Sequence, residues 1–189
     1  MSESKNAKYY PLPSLSPYVK RDRYSEPKED NKFFERKIRE YIDVERAYSV
    51  VDLGCANGEL LYLLKQKFPH WKLTGYDLTP EFIETGRNFP GLSGVELIVA
   101  DLFDINRTFD IVVCDSVLQI FPEIQKPLEK LLSICNEGGY IFVIGLFNKY
   151  DNYPISERLA QRGLYIPSGL ALTNQQIVSV ADAINTILK

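Results

Sequence analysis

The sequence predicts an α/β protein with a doubly wound, mostly parallel sheet and a layer of helices on each face. Three observations carry that prediction. Short apolar, often β-branched runs alternate with helical stretches from residue 49 to residue 147, and strands separated by helices pair in parallel. One junction, Val50-Val51-Asp52-Leu53-Gly54-Cys55-Ala56-Asn57-Gly58-Glu59-Leu60-Leu61, passes from strand to glycine turn to helix, the way an α/β sheet presents a ligand site. An aspartate also stands at or just after the end of four predicted strands: Asp52, Asp77, Asp101 and Asp115.

The elements follow in order. Residues 1–30 hold Pro11, Pro13, Pro17 and Pro27 among Tyr9, Tyr10, Tyr18 and Tyr24. Prolines there prevent regular structure and predict an irregular arm, either a disordered tail or a lid docked through its tyrosines. A helix is expected over 31–46, with Phe33, Phe34, Ile38, Tyr41 and Ile42 on one face. The first strand is Ser49–Asp52, and its helix runs from Gly58 to Phe68. The second strand is Lys72–Tyr76, ending at Asp77; Thr79 then caps a helix with Pro80 at its first position. Strands three and four, Val95–Val99 and Phe109–Cys114, precede Asp101 and Asp115. A helix over 124–135 and the turn Asn136-Glu137-Gly138-Gly139 lead into strand five, Tyr140–Phe147. The domain organisation is thus an arm over 1–30, a core over 31–147 and an extension over 148–189.

Composition narrows the function. The chain has 189 residues, 45% of them hydrophobic, enough for one sizeable core. A net charge of −3 and a pI near 5.3 weigh against finding nucleic acid by bulk electrostatics. The apolar run from Tyr140 to Phe147 is far too short to span a bilayer, and polar Met1 to Lys8 is no secretory signal. Cys55, Cys114 and Cys135 are widely spaced and read as reduced cytoplasmic thiols. Without a C-x-x-C, and with His70 the sole histidine, no metal site is expected.

Gly54 to Gly58 reads G-x-x-x-G, which is neither a dinucleotide fingerprint nor a phosphate-binding loop. In a doubly wound sheet the strand ends carrying Asp52, Asp77, Asp101 and Asp115 share the edge where ligands bind. Singly, each acid could instead cap a helix or fill a turn. Together they suit a ligand with hydroxyl and amine donors and some positive charge, and they suit pyrophosphate poorly.

Five pieces in this order resemble class I S-adenosylmethionine-dependent methyltransferases over about residues 36–147: Val51-Asp52-Leu53-Gly54-Cys55-Ala56-Asn57-Gly58, Gly75-Tyr76-Asp77-Leu78-Thr79, Val99-Ala100-Asp101-Leu102, Phe109 to Leu118, and Gly138-Gly139-Tyr140-Ile141-Phe142-Val143. The resemblance implies a Rossmann-like methyltransferase fold, S-adenosyl-L-methionine as cofactor and S-adenosyl-L-homocysteine as product. It implies a cofactor-binding set of Asp52, Gly54, Cys55, Ala56, Gly58, Asp77, Leu78, Asp101, Leu102, Asp115 and Ser116. Asp52, Gly54 and Gly58 would surround the methionine moiety, and Asp77 would hold the ribose hydroxyls. Asp101 would bond the adenine amino group beside Leu102, and Asp115 and Ser116 would border the methyl group and the acceptor. Ala56 replaces a frequent glycine, which is tolerated if its φ is negative.

The sulfonium is an activated methyl donor, so the protein's task is mostly alignment. A base is needed only for an acceptor protonated at working pH. His70 precedes strand two, at the opposite sheet edge, and is rejected as that base. Where small-molecule members of the family often have histidines after strand four, this chain has Gln119 and Ile120. Asp115, the catalytic candidate, remains with Tyr150, Asp151, Tyr153 and the arm tyrosines.

The last 42 residues depart from the family's usual helix and antiparallel strand pair. Thr173 and Gln176 form a capping box ahead of an apolar stripe, Ile177, Val180, Ala181, Ile184, Ile187 and Leu188. An amphipathic helix of about 15 residues is expected, leaving the edge of strand five open to pairing in a homodimer. Residues 155–188, with Arg-Gly-Leu-Tyr-Ile-Pro-Ser-Gly-Leu-Ala-Leu-Thr from Arg162, resemble the end of pyridoxal-phosphate-dependent sugar aminotransferases of the DegT type. That resemblance tilts the acceptor toward a nucleotide-linked sugar or amino sugar. The expected function is methyl transfer to a small polar acceptor, without nucleic acid or membrane. The alternatives are a non-catalytic partner module and a nucleic-acid methyltransferase, although Asp115-Ser116-Val117-Leu118 lacks the Asn-Pro-Pro-aromatic run of base-amine methylases.

Overall fold

The computed structural model describes residues 24–121, 124–144 and 164–167. The chain divides into two compact units, residues 1–101 and 102–189.

The first unit opens with α1 (Glu29–Tyr41), which buries Asn31, Phe34 and Ile38. Their spacing is that of one helical stripe. The helix covers 29–41 rather than 31–46. Ile42 is already extended at φ −124°, and Asp43 turns the chain by accepting the Glu45 N–H on Oδ1 at 3.2 Å and the Arg46 N–H on its carbonyl at 3.2 Å. Such local side-chain bonds compete with helix continuation.

Strands β1 (Ser49–Leu53), β2 (Lys72–Asp77) and β3 (Glu96–Val99) lie in the order β3-β2-β1. Both pairs are parallel, with Asp52 opposite Gly75 and Asp77 opposite Val99. Val50, Val51, Asp52 and Leu53 are all buried, as in a strand covered on both faces. The crossovers carry α2 (Glu59–Lys67) and α3 (Pro80–Arg87). Helix α2 buries Leu60, Leu61 and Leu64 and ends at Phe68, whose φ of −135° and ψ of 68° have left the helical region, which the following Pro69 disfavours. Pro80 opens α3 as expected and Thr79 is its N-cap residue, but the Thr79 side chain makes no capping bond. Arg87 donates Nε and Nη2 to the Leu97 carbonyl at 3.1 and 2.6 Å, fastening α3 to β3.

The second unit holds β4 (Phe109–Asp115), α4 (Gln125–Ser133), β5 (Cys135–Ile144) and β6 (Leu164–Pro167). Strands β4 and β5 are parallel from Ile111↔Tyr140 to Asp115↔Ile144. Residues 136–139 do not form a separate turn ahead of strand five. They lie inside β5, where the register jumps from Phe109↔Cys135 to Ile111↔Tyr140. Asn136 Nδ2 donates to Asp110 Oδ1 at 2.8 Å and ties the irregular stretch to β4. Residues 145–147 of the expected strand lie outside the described residues.

Strand β6 corrects the reading of the tail. It pairs antiparallel with β5, from Tyr140↔Pro167 to Val143↔Leu164. The chain itself therefore covers the edge that was expected to stay open for a homodimer. The sequence hid this strand because Gly163 precedes it and Pro167 is its last residue, and both read as punctuation. The expected amphipathic helix, the arm up to residue 23, and Tyr150, Asp151 and Tyr153 lie outside the described residues.

Among the described residues, no helix is long and apolar enough to cross a membrane, and no group of three or more His, Cys, Asp or Glu could hold a metal ion. Cys55, Cys114 and Cys135 are free thiols.

Candidate functional site

The candidate site grows from the five residues between β1 and α2, each of which is tied to something else. The N–H groups of Gly54 and Cys55 both donate to the Tyr76 carbonyl, at 2.8 and 3.0 Å. The Ala56 N–H donates to Asp77 Oδ2 at 2.8 Å. The carbonyl of Asn57 accepts the Tyr24 hydroxyl at 2.8 Å, and the Gly58 N–H closes back on the Cys55 carbonyl at 2.8 Å. The loop is held onto the end of β2 and opens α2 at Gly58, whose φ of +86° suits glycine alone among common residues.

Ala56 has φ +47°, against the negative φ on which its tolerance was expected to rest. An L-residue in the left-handed region costs roughly 1–2 kcal/mol, and the Asp77 bond is what opposes that cost here. Ala56→Gly is therefore expected to stabilise the protein by about 0.5 kcal/mol, the relief of strain offset by glycine's extra chain entropy. Urea unfolding checks this; a destabilised variant contradicts it.

Asp77 is half-buried and uses both oxygens on backbone. Oδ1 accepts the Thr79 N–H at 2.8 Å, while Oδ2 holds Ala56. Through Oδ1 this carboxylate fixes the backbone of Thr79, the residue that precedes α3. Each oxygen still has a second lone pair for a ligand hydroxyl.

Asp52 is 4% exposed, and it registers with Gly75 of β2. Cys55 is 5% exposed, with Sγ 2.6 Å from where a Cβ on Gly75 would stand. Burial first, then the nearby Asp52 and Asp77 charges, pushes the Cys55 thiol well above its ordinary range. A buried thiol kept protonated is a poor nucleophile. Folded protein at pH 8 is expected to leave Cys55 unalkylated by iodoacetamide, and urea to expose it, as peptide mass mapping would read. Rapid labelling in the native state would contradict this placement.

Leu78 is half-buried beside Asp77, and Asp101 is half-buried just after β3. The Ala100 N–H donates to the Asp77 carbonyl at 3.1 Å, so the segment leading to Asp101 is pinned to the end of β2. The structure thus gathers Asp52, Gly54, Cys55, Ala56, Gly58, Asp77, Leu78 and Asp101 at the carboxyl ends of three adjacent parallel strands. His70 lies before β2, at the other strand end, with Nε2 3.1 Å from the Val44 carbonyl.

In the second unit, Leu102 is buried at the start of a short 3-10 turn over Leu102–Asp104. Asp115 is the last residue of β4, and its Oδ1 accepts the Ser116 hydroxyl at 2.9 Å. Ser116 has φ +58° and is held by its N–H on the Ile144 carbonyl at 2.7 Å. Leu118–Ile120 forms a 3-10 turn.

The sequence named Tyr24 only as one of four arm tyrosines and Gly75 only within a motif, and it did not point to Phe89. Tyr24 stacks on Phe89 with ring centroids 3.7 Å apart and planes 6° from parallel. Burial, then the charge of Glu59, pushes its phenol up to about 12. It is a hydrogen-bond donor at neutral pH and an unsuitable base. It was one of four arm tyrosines, and no spacing in the sequence set it apart.

A family model described as a methyltransferase domain matches residues 45–171. The chain belongs to this S-adenosylmethionine-dependent methyltransferase family. The match includes the first half of the stretch read as aminotransferase-like, and that second resemblance finds no support. The domain is 26% identical over 118 residues to the malonyl-[acyl-carrier protein] O-methyltransferase of Acetivibrio thermocellus, covering 61% of this chain and 40% of that protein. It is 28% identical over 104 residues to a trans-aconitate 2-methyltransferase of Escherichia coli, covering 54% and 40%. The chain thus spans about two fifths of the length of the curated relatives it matches. The plantazolicin methyltransferase BpumL, solved in complex with SAH, superposes with a TM-score of 0.58 at 17% identity, over 94% of this chain and 67% of that one. A putative methyltransferase of Haloferax volcanii, solved with the methyltransferase activator Trm112, gives 0.59 at 18% identity, over 79% and 67%. These likenesses show the fold: an α/β Rossmann-like methyltransferase fold, its mostly parallel sheet flanked by helices.

Proposed function

We propose that this methyltransferase domain transfers the methyl group of S-adenosyl-L-methionine to an oxygen of a small polar acceptor, a carboxylate above all. The family match over residues 45–171 carries the reaction class. The loop suits the cofactor by its chemistry. Two carboxylates, buried Asp52 and half-buried Asp77, stand beside a turn whose Gly54 is exposed, offering acceptors to an ammonium and to hydroxyls and a favourable field to a cationic centre. In this reading Asp52, Gly54, Cys55, Ala56 and Gly58 line the methionine part, and Asp77 with Leu78 holds the ribose. Asp101 and Leu102 are assigned the adenine, and Asp115 and Ser116 the acceptor side, on their sequence motifs.

The bound cofactor supplies a methyl group on a good leaving group. The chain's residues then have to orient the acceptor and exclude water. A carboxylate acceptor is ionised at neutral pH and needs no base. That agrees with Gln119 and Ile120 standing where other members have histidines, and with two relatives named for malonyl-[acyl-carrier protein] and trans-aconitate. With a hydroxyl acceptor, Asp115 is the residue assigned to take the proton. The nucleotide-sugar acceptor rested on the aminotransferase-like tail and loses its motive with it. The three free thiols favour the cytoplasm.

A second reading, a partner-dependent or non-catalytic methyltransferase module, draws on the Haloferax neighbour solved with an activator. Calorimetry with S-adenosylhomocysteine tests the first step for both readings; no binding at millimolar ligand would sink them. Turnover against a panel of small carboxylates then separates them, because the module binds cofactor and yields no methyl ester.

A further inference from the structure

We infer that Tyr24 is a positioning residue, which holds the loop between β1 and α2 in its ligand-ready shape from a segment that precedes α1. The inference rests on that loop being the cofactor loop, and it adds a support outside the five motifs.

Three of the loop's five residues have positive φ: Gly54 at +73°, Ala56 at +47° and Gly58 at +86°. Such a backbone persists only where its surroundings over-determine it. The bonds from Gly54, Cys55 and Ala56 reach β2, and the bond at Gly58 stays within the loop. Asn57 is held differently, because its carbonyl accepts the Tyr24 hydroxyl at 2.8 Å.

The donor is itself fixed. Its ring stacks on Phe89 at 3.7 Å and meets the edge of Tyr62 at 5.5 Å, while Tyr62 and Phe89 meet edge-on at 5.1 Å. Four residues on, Lys28 Nζ lies 3.6 Å from Glu59 Oε2, in the first turn of α2. The Glu59 carboxylate is well placed against the positive end of that helix, so the strand of chain from Tyr24 to Lys28 is fastened at both ends to the loop and the helix it opens. The Tyr24 phenol, pushed up to about 12, stays able to donate at neutral pH.

Tyr24→Phe removes the hydroxyl and keeps the stacked ring. Tyr62→Phe removes a hydroxyl from the same aromatic cluster without touching Asn57. Calorimetry with S-adenosylhomocysteine and amide hydrogen exchange over residues 54–58 read the two variants. Tyr24→Phe is expected to weaken binding about fivefold, the worth of one neutral hydrogen bond, and to speed exchange in the loop while strands β1 and β2 keep their protection. Tyr62→Phe is expected to match the unaltered chain on both readouts. Unchanged affinity in Tyr24→Phe overturns the inference. So does a weakened affinity without faster loop exchange, since Tyr24 would then act elsewhere. If the unaltered chain binds no S-adenosylhomocysteine, the cofactor reading fails by itself, and loop exchange alone decides whether Tyr24 positions the loop.

Discussion

Asp77→Ala is expected to lower the unfolding free energy by about 2–3 kcal/mol and to weaken S-adenosylhomocysteine binding by about 100-fold or more. The two effects have separate causes. In the free protein the carboxylate accepts the Ala56 N–H at 2.8 Å and the Thr79 N–H at 2.8 Å. Bonds to a charged acceptor contribute about 1.5–3 kcal/mol each, and the half-buried position of Asp77 puts the pair toward the low end. Alanine also leaves Ala56 at φ +47° without the bond that opposes its strain. Binding then falls because the loop must be ordered at the ligand's expense and because, with Asp77 in its proposed role, the ribose hydroxyls lose their acceptor. Each factor of ten corresponds to about 1.4 kcal/mol, so both losses together reach 100-fold readily. Asp77→Asn separates them. It keeps the shape and one acceptor oxygen but turns an N–H₂ toward a backbone donor, and should cost about half as much stability. Urea unfolding without ligand, then calorimetry, gives both numbers. An unaltered unfolding midpoint in Asp77→Ala would show that the carboxylate does not hold the loop, and an unaltered affinity would show that the end of β2 is not part of the site.

That prediction marks how far the sequence could be read. The order of strands and helices was legible because each strand is a short apolar run closed by an acid or a glycine. The residues gathered in the first unit were legible for the same reason: a strand end is a position, and the alternation fixes it. What Asp77 does there was not legible. Its two backbone partners lie 21 positions before it and two after it, and only the crossover through α2 brings the first of them near. Nor could the sequence give the sign of φ at Ala56, which the loop's tertiary bonds impose against the residue's own preference. Strand β6 was missed because four residues carry too little periodicity to be read as a strand. Docking through the arm tyrosines was legible, but which tyrosine and onto what was not, because the partners of Tyr24, Asn57 and Phe89, are distant in sequence.

Gly75→Ala shows most directly how packing under the loop sets the loop. Gly75 lies inside β2, paired with Asp52 on one side and Leu97 on the other. A Cβ there would stand 2.6 Å from Cys55 Sγ, 2.6 Å from Leu61 Cδ1 and 2.9 Å from Leu97 Cδ2. Three neighbours from three elements crowd one methyl group, and the strand cannot retreat without breaking ladder bonds on both sides. Overpacking of this kind costs about 1–3 kcal/mol, and the triple contact puts Gly75→Ala at about 3. In a chain of 189 residues that corresponds to a fall of about 10 °C in Tm. The direction of relief is specific. All three neighbours are buried, but Leu61 and Leu97 sit in a helix and a strand whereas Cys55 belongs to the loop, so the thiol should yield and carry the Ala56 N–H away from Asp77. Cys55→Ala removes Sγ and should restore part of the loss. Residues in contact commonly couple by 0.5–3 kcal/mol, and a double-mutant cycle in urea is expected to give about 1 kcal/mol of favourable coupling. S-adenosylhomocysteine affinity should fall in Gly75→Ala and recover in the double variant. Strict additivity would mean that the methyl group is absorbed by Leu61 and Leu97 instead, and that the loop's position does not depend on the bare surface of β2 beneath it.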